Sequence, residues 1–210
     1  MTQQALLPAS RQAIIPIAAF AAVGDLGKLN PALNQGLDAG LTLNECKEVL
    51  VQLYAYAGFP RSLNALSELM KVVKNREQRG IEDSAGRLPT PLPAGGDVRE
   101  MGTANQTKLS GAPVRGPLFE FAPAIDEYLK THLFGDIFAR DNLDWQSREL
   151  ATVAALAAMT GVEPQLAAHI RISLNVGLTE AQLSEVASIL TEKVGHAAGA
   201  RAQEALQKKP

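Results

Sequence analysis

Displaced by 137 positions, this sequence falls on itself without a gap from residue 10 to residue 69. Ser10-Arg11 lands on Ser147-Arg148, Gly24 on Gly161, Leu29 on Leu166 and Leu37 on Leu174. Gly40-Leu41-Thr42 lands on Gly177-Leu178-Thr179, Glu48-Val49 on Glu185-Val186, Leu53 on Leu190 and Gly58 on Gly195. Sixteen of the 60 aligned positions are identical. Alanine-rich helices coincide by chance, so the weight falls on the glycines, which lie where elements begin and end. The pattern reads as a tandem repeat, one copy over 1–75 and a second over 117–210. A dissimilar segment over 76–116, rich in proline and glycine, links them.

The signals inside each copy are helical. In the second copy, Asp144 is an N-cap for an alanine-rich helix over Trp145 to Met159, which stops near Thr160-Gly161. Pro164 suits the first turn of the next helix, and Gly177 the position just past its end. Thr179-Glu180-Ala181-Gln182 and Thr42-Leu43-Asn44-Glu45 are capping boxes, in which the threonine and the residue three further on satisfy reciprocal backbone donors. Leu43, Cys46, Leu50, Leu53 and Ala57 then form one apolar stripe on a helix ending at Gly58. Pro60 opens a further helix through Leu63, Leu66, Met70 and Val73. From Leu118 an amphipathic helix is expected to about Leu133, with Phe121, Ile125, Tyr128 and Leu129 on its apolar side. In the linker, Pro89, Pro91, Pro93, Gly95, Gly96, Gly102, Gly111, Pro113 and Gly116 are expected to interrupt any helix. No run alternates with period two between turn residues, so strands are not expected and the chain reads as all-α.

Composition narrows the function. At 46% hydrophobic the chain can build a core, and a formal net charge of −2 offers no basic face for nucleic acid. One cysteine, Cys46, excludes a disulfide within the chain, a four-cysteine zinc site and an intramolecular dithiol centre. The apolar run from Ala13 to Val23 contains Pro16 and is too short to span a bilayer. The Gly24-Asp25-Leu26-Gly27 that follows is a poor signal-peptide cleavage site, so a cytoplasmic protein without membrane association is expected. The three histidines, His132, His169 and His196, lack the spacing of a helical metal site. There is no Gly-x-Ser-x-Gly elbow and no phosphate loop. Chemistry must therefore rest on isolated polar residues of helices.

Those residues carry a resemblance. Tyr54-Ala55-Tyr56-Ala57-Gly58-Phe59-Pro60-Arg61-Ser62-Leu63-Asn64-Ala65 resembles the tyrosine–glycine–phenylalanine–proline segment of the carboxymuconolactone decarboxylase family. Arg148-Glu149-Leu150 resembles the other half of that family's signature. So do Gly161-Val162-Glu163-Pro164-Gln165-Leu166-Ala167-Ala168-His169 and Leu174-Asn175-Val176-Gly177-Leu178-Thr179, with Phe134-Gly135-Asp136-Ile137-Phe138 before them. The resemblance covers both copies and implies an all-α fold related to alkylhydroperoxidase D. It also implies a homo-oligomer, a trimer or dimer of tandem chains.

The family's hydroperoxidase branch uses a Cys-x-x-Cys pair, and the matching stretch here, Gly161-Val162-Glu163-Pro164, has no cysteine. The decarboxylase branch uses no metal and no cofactor. There, a carboxylated unsaturated lactone loses carbon dioxide, the electron pair moves through the alkene to the lactone carbonyl, and a proton returns at the vinylogous carbon. By that resemblance His169 is the proton donor and Glu149 its orienting partner. Arg61 is a carboxylate clamp, because a guanidinium matches a carboxylate in bidentate geometry. Tyr54 or Tyr56 donates to the oxyanion, and Asn64 bonds a ligand or caps a neighbouring helix. Tyr54 and Tyr56 are two apart and cannot share a helix face, so at least one packs.

The two copies keep different parts of the pattern. The first has Tyr-x-Gly-Phe-Pro, but Gln12 stands where Glu149 aligns and Ala32 where His169 aligns. The second has Glu149 and His169, but Val194-Gly195-His196-Ala197 in place of Gly-Phe-Pro. One composite site is therefore expected, with its base from the second copy and its wall from the first. Two other readings stand beside it: a thiol-dependent peroxidase built on Cys46, and a non-catalytic helical binding protein, which fully exposed Glu149 and His169 would favour.

Overall fold

The computed structural model describes residues 6–92 and 95–208. Among them every regular element is helical. The first half comprises α1 (Ala9–Val23), α2 (Leu26–Asp38), α3 (Leu43–Gln52), a single turn α4 (Tyr54–Ala57) and α5 (Phe59–Gln78). The middle holds α6 (Val98–Ser110), α7 (Pro117–Phe121), α8 (Pro123–Tyr128) and a π-helical stretch, π1 (Leu129–Ile137). The second half comprises α9 (Trp145–Ala158), α10 (Glu163–Asn175), α11 (Glu180–Ile189), the π-helical π2 (Leu190–Val194) and α12 (His196–Gln207).

Helices α1 and α9 pack against each other at the centre. Both are rich in small residues: Ala18, Ala19, Ala21 and Ala22 on α1, and Ala151, Ala154, Ala155 and Ala157 on α9, are all fully buried. Small side chains on both faces bring two backbones close, and the leucines of α2, α3, α10 and α11 then close over them in one continuous core. The apolar run with Pro16 is thus the buried α1, and among the described residues no helix is long and apolar enough to cross a membrane.

The element bounds keep the offset seen in the sequence. Adding 137 to the bounds of α2 gives those of α10 (26 to 163, 38 to 175), and adding it to α3 gives α11 (43 to 180, 52 to 189). Both capping boxes form, at Thr42 with Glu45 and at Thr179 with Gln182. Gly40 and Gly177 take φ of 95° and 94°, a left-handed conformation that glycine adopts at least cost.

The structure corrects some of these sequence expectations. The linker contains a helix, α6: Asp97 caps it by accepting from the amides of Arg99 and Glu100, and Gly111 ends it in the left-handed conformation. Gly102 does not break α6 but lets it lie against π1, where a Cβ would overlap the Lys130 carbonyl oxygen. The expected helix from Leu118 to Leu133 is broken at Ala122, because Pro123 has no amide to continue it. Of its expected apolar side, Phe121 (89%), Ile125 and Tyr128 (64%) are exposed, while Leu129 packs on a second small core that Leu133, Phe134 and Ile137 of π1 build with Leu109 and Ile172. On α5, Leu66 and Val73 pack on the core beside the buried Ala65, Leu69 and Val72, while Leu63 and Met70 are exposed. The stripe expected to run unbroken to Gly58 instead pauses at Leu53 between α3 and α4.

Candidate functional site

Helices α9 and α10 bring Glu149 and His169 together under the wall formed by α4. Asp144 caps α9 through the Ser147 amide, which fixes the helix start and sets Glu149 on the buried side. His169 lies two turns into α10, behind Glu163 and Pro164 in its first turn. Glu149 is wholly buried and His169 is 7% exposed. His169 Nδ1 and Glu149 Oε2 are 2.7 Å apart, a short hydrogen bond across two helices. An ionised Glu149 accepts from Nδ1–H, which leaves Nε2 as the second nitrogen of the ring. The Tyr56 ring meets the His169 ring edge-on, with centroids 5.5 Å apart and planes at 81°. The first half therefore supplies a wall to an acid–base pair held by the second half.

Tyr56 Oη and Glu149 Oε1 are buried without a hydrogen-bond partner. Burial first, and then the Glu149 carboxylate, push the Tyr56 phenol well above its usual value. The phenol stays protonated at any physiological pH and is a standing donor. Each unpartnered buried polar atom costs about 1–3 kcal/mol. Such a cost is tolerated where a ligand will take the bond.

Behind this pair lies a charged layer that sequence reasoning missed. Arg148, fully buried, donates to Gln52 Oε1 (3.0 Å), Glu48 Oε2 (3.0 Å) and the Arg140 carbonyl (2.8 Å). Arg140 reaches the same Glu48 carboxylate at 2.6 Å. Gln52 donates to the Arg148 carbonyl and to Thr152 Oγ1. Glu48 and Gln52 sit on α3, Arg148 and Thr152 on α9, so the layer stitches the two halves together beside Glu149. Burial alone would raise Glu48, but the hydrogen bonds from Arg140 and Arg148 outweigh it and hold the carboxylate below its usual value. A signal was present in the sequence: Arg148 and Glu48 are two of the few polar residues that repeat at the offset, in Arg11 and Glu185.

Other expected site residues lie elsewhere. Arg61 is exposed, donates to the Ala22 carbonyl at the end of α1 (3.2 Å), and packs beside Gly24. It caps a helix rather than clamping a carboxylate, because the turn at Gly58 starts α5 beneath the end of α1. Tyr54 stacks on Phe59 at 4.3 Å and leans on His132 at 5.5 Å, so of the two tyrosines it is the one that packs away from His169. Asn64 is exposed on α5. His132 pairs with Asp136 on the surface at 2.7 Å, and His196 opens α12, exposed. Cys46 is fully buried, and burial, helped by Glu45 and Asp83, pushes its thiol up to about 12.

Among the described residues no group of three His, Cys, Asp or Glu side chains is arranged to hold a metal ion. No curated protein matches the chain. The model of the carboxymuconolactone decarboxylase family matches residues 123–208. The match takes in both helices that carry the Glu149–His169 pair, and over these residues the chain is similar to the carboxymuconolactone decarboxylase family.

Proposed function

We propose that the chain is a cofactor-independent carboxy-lyase or isomerase acting on a small carboxylated lactone or related acid, with His169 as its proton carrier. The observation that carries this reading is the buried 2.7 Å contact between His169 Nδ1 and Glu149 Oε2 beneath Tyr56. A carboxylate that holds one imidazole nitrogen leaves the other to deliver a proton in a fixed direction. In the proposed step the bond to the substrate carboxylate breaks and carbon dioxide leaves. The electron pair passes through the alkene to the lactone carbonyl, where Tyr56 Oη donates a hydrogen bond. As the imidazolium, His169 gives its Nε2 proton to the vinylogous carbon and returns to the neutral Nδ1–H form, and a proton from solvent restores the cation.

The fate of Arg61 fits this scheme. The cation beside Tyr56 is Arg148, which is committed to Glu48. A substrate carboxylate left without a salt bridge is not stabilised before its charge moves to the lactone oxygen. Stabilising the ground state less than the transition state raises the rate. A thiol peroxidase is poorly supported, because a buried thiol pushed up to about 12 is scarcely ionised at neutral pH. Full exposure of Glu149 and His169, the feature that would favour a non-catalytic binding protein, is not found: both are buried.

Two further elements belong to the same proposal. The shared bounds of α2 and α10, and of α3 and α11, support descent from a duplicated unit. The exposed Leu118, Phe121 and Tyr128 support assembly with further copies of the chain, readable by light scattering.

The test follows 4-carboxymuconolactone by ultraviolet absorbance with wild type and His169→Ala, the fold being checked by circular dichroism. Turnover by wild type and a loss of about 100-fold or more in the variant is expected, the usual range for a lost acid–base group. Turnover equal in both would refute the role of His169. No turnover in either would refute this substrate and turn the same assay to other unsaturated carboxylated lactones.

A further inference from the structure

The offset of 137 places Gln12, Ala32 and Lys193 where the second half has Glu149 and His169 and the first half has Tyr56. In one niche, between α9, α10 and α4, Glu149, His169 and Tyr56 meet. In the other, between α1, α2 and π2, the histidine position is an alanine, and a cavity of about 490 Å³ opens. That volume falls within the range of about 300–1,000 Å³ typical of small-molecule sites. The lining of this niche has no imidazole to match His169. Gln12, in the place of the carboxylate, spends its amide nitrogen on the Leu7 carbonyl and Glu185. The cavity is built for binding, not for chemistry.

Its lining has two characters. Pro16, Phe20, Ala32 and Ile189 give an apolar surface, of which Phe20 and Ala32 are buried. Lys28 from α2 and Lys193 from π2 bring two ammonium groups to the lining, each beside a surface carboxylate, Asp25 and Glu192. Lys28 Nζ sits 5.6 Å above the Phe20 ring, 3.7 Å from Asp25, and Lys193 is paired with its sequence neighbour Glu192 at 2.7 Å. Both lysine side chains are more than half exposed, so both can turn to a ligand at little cost. An apolar floor under two swinging cations selects a ligand with one negative end and a hydrocarbon body.

We propose that this cavity is a second, non-catalytic site that binds a small amphipathic monocarboxylate. Its hydrocarbon part lies on Phe20 and Pro16, and its carboxylate is held by Lys28 and Lys193. The inference does not depend on the reaction at His169.

The probe is octanoate, with octanamide as its uncharged match, titrated by calorimetry into the full chain at low salt. Octanoate binds wild type, and octanamide binds about tenfold or more weakly, the loss of a charge-assisted bond. Lys28→Gln with Lys193→Gln, both on the surface, weakens octanoate by a similar factor. Ala32→Phe, which fills the cavity from its floor, abolishes binding. His169→Ala leaves the affinity unchanged, which separates this site from the other niche. Absence of octanoate binding by wild type would overturn the proposal. So would equal affinity for octanamide, an unaffected double-lysine variant, or loss of binding in His169→Ala. Should Ala32→Phe fail to fold, the double-lysine variant decides.

Discussion

Glu48→Gln tests the charged layer that joins the halves. The substitution keeps the shape and removes the charge that two guanidinium groups share. The two partners are not equal. Arg140 is 40% exposed, so its pairing is screened by water and contributes less than about 1 kcal/mol. Arg148 is wholly buried and cannot recover solvation when its partner is neutralised. Removing one member of a buried pair typically costs about 3–5 kcal/mol, because the survivor is left uncompensated. Gln52 Oε1 and the Arg140 carbonyl still accept from Arg148, which places the expected loss near the lower end, about 3 kcal/mol. That is a large part of a domain stability of about 5–15 kcal/mol. Urea unfolding followed by far-ultraviolet circular dichroism measures it, and Glu48→Gln with Arg148→Met should recover much of the loss. A loss under about 1 kcal/mol, or a double variant no more stable than the single one, would refute the reasoning. The pH dependence has a fixed sign. Glu48 is held below its ordinary value of 4.5, so its contribution is present above that pH. It is lost as the pH falls through the lower folded value, and the variant should lose this part of the acid sensitivity.

Three further outcomes follow from the packing. Gly102→Ala gains about 1 kcal/mol of helix propensity but forces a Cβ into the Lys130 carbonyl, so a net loss of about 1–3 kcal/mol is expected by thermal unfolding, and a higher Tm would contradict it. Tyr56→Phe removes a buried hydroxyl that has no partner, so stability should hold within about 1 kcal/mol while turnover of a lactone substrate falls about 100-fold; unchanged turnover would remove Tyr56 from the reaction. Cys46 in the native chain should react with an aromatic disulfide reagent orders of magnitude more slowly than in urea, since a thiol pushed up to about 12 is about 10⁻⁴ ionised at pH 8; rapid native labelling would show that α3 opens.

The candidate site was partly legible because its parts have local causes. Asp144 as N-cap, Pro164 in a first turn and the two threonine capping boxes fixed where helices start, and so which residues each helix carries. Glu149, His169 and Tyr56 came from the family's motifs. Arg61 was misplaced because a motif says which residues are near in sequence, not which way a helix end turns. The missed charged layer joins α3 to α9 across 100 residues, and no local pattern reports such a partner. The apolar residues of α5 divide between two faces, with Leu66 and Val73 packed on the core and Leu63 and Met70 exposed. Only the neighbours α2 and α3 decide which of them is covered.

By itself the sequence determined helix content, helix starts, the absence of intramolecular cysteine chemistry and the spacing between like halves. These depend on side-chain entropy, capping and composition, which act over a few residues. Tertiary structure alone decided that α1 and α9 meet face to face, which sets Tyr56 of one half on His169 of the other. It alone decided that Gly102 is a contact and not a break, and that a cavity opens where Ala32 stands in the place of His169. Those outcomes rest on the packing of distant surfaces, whose shape exists only once the chain has folded.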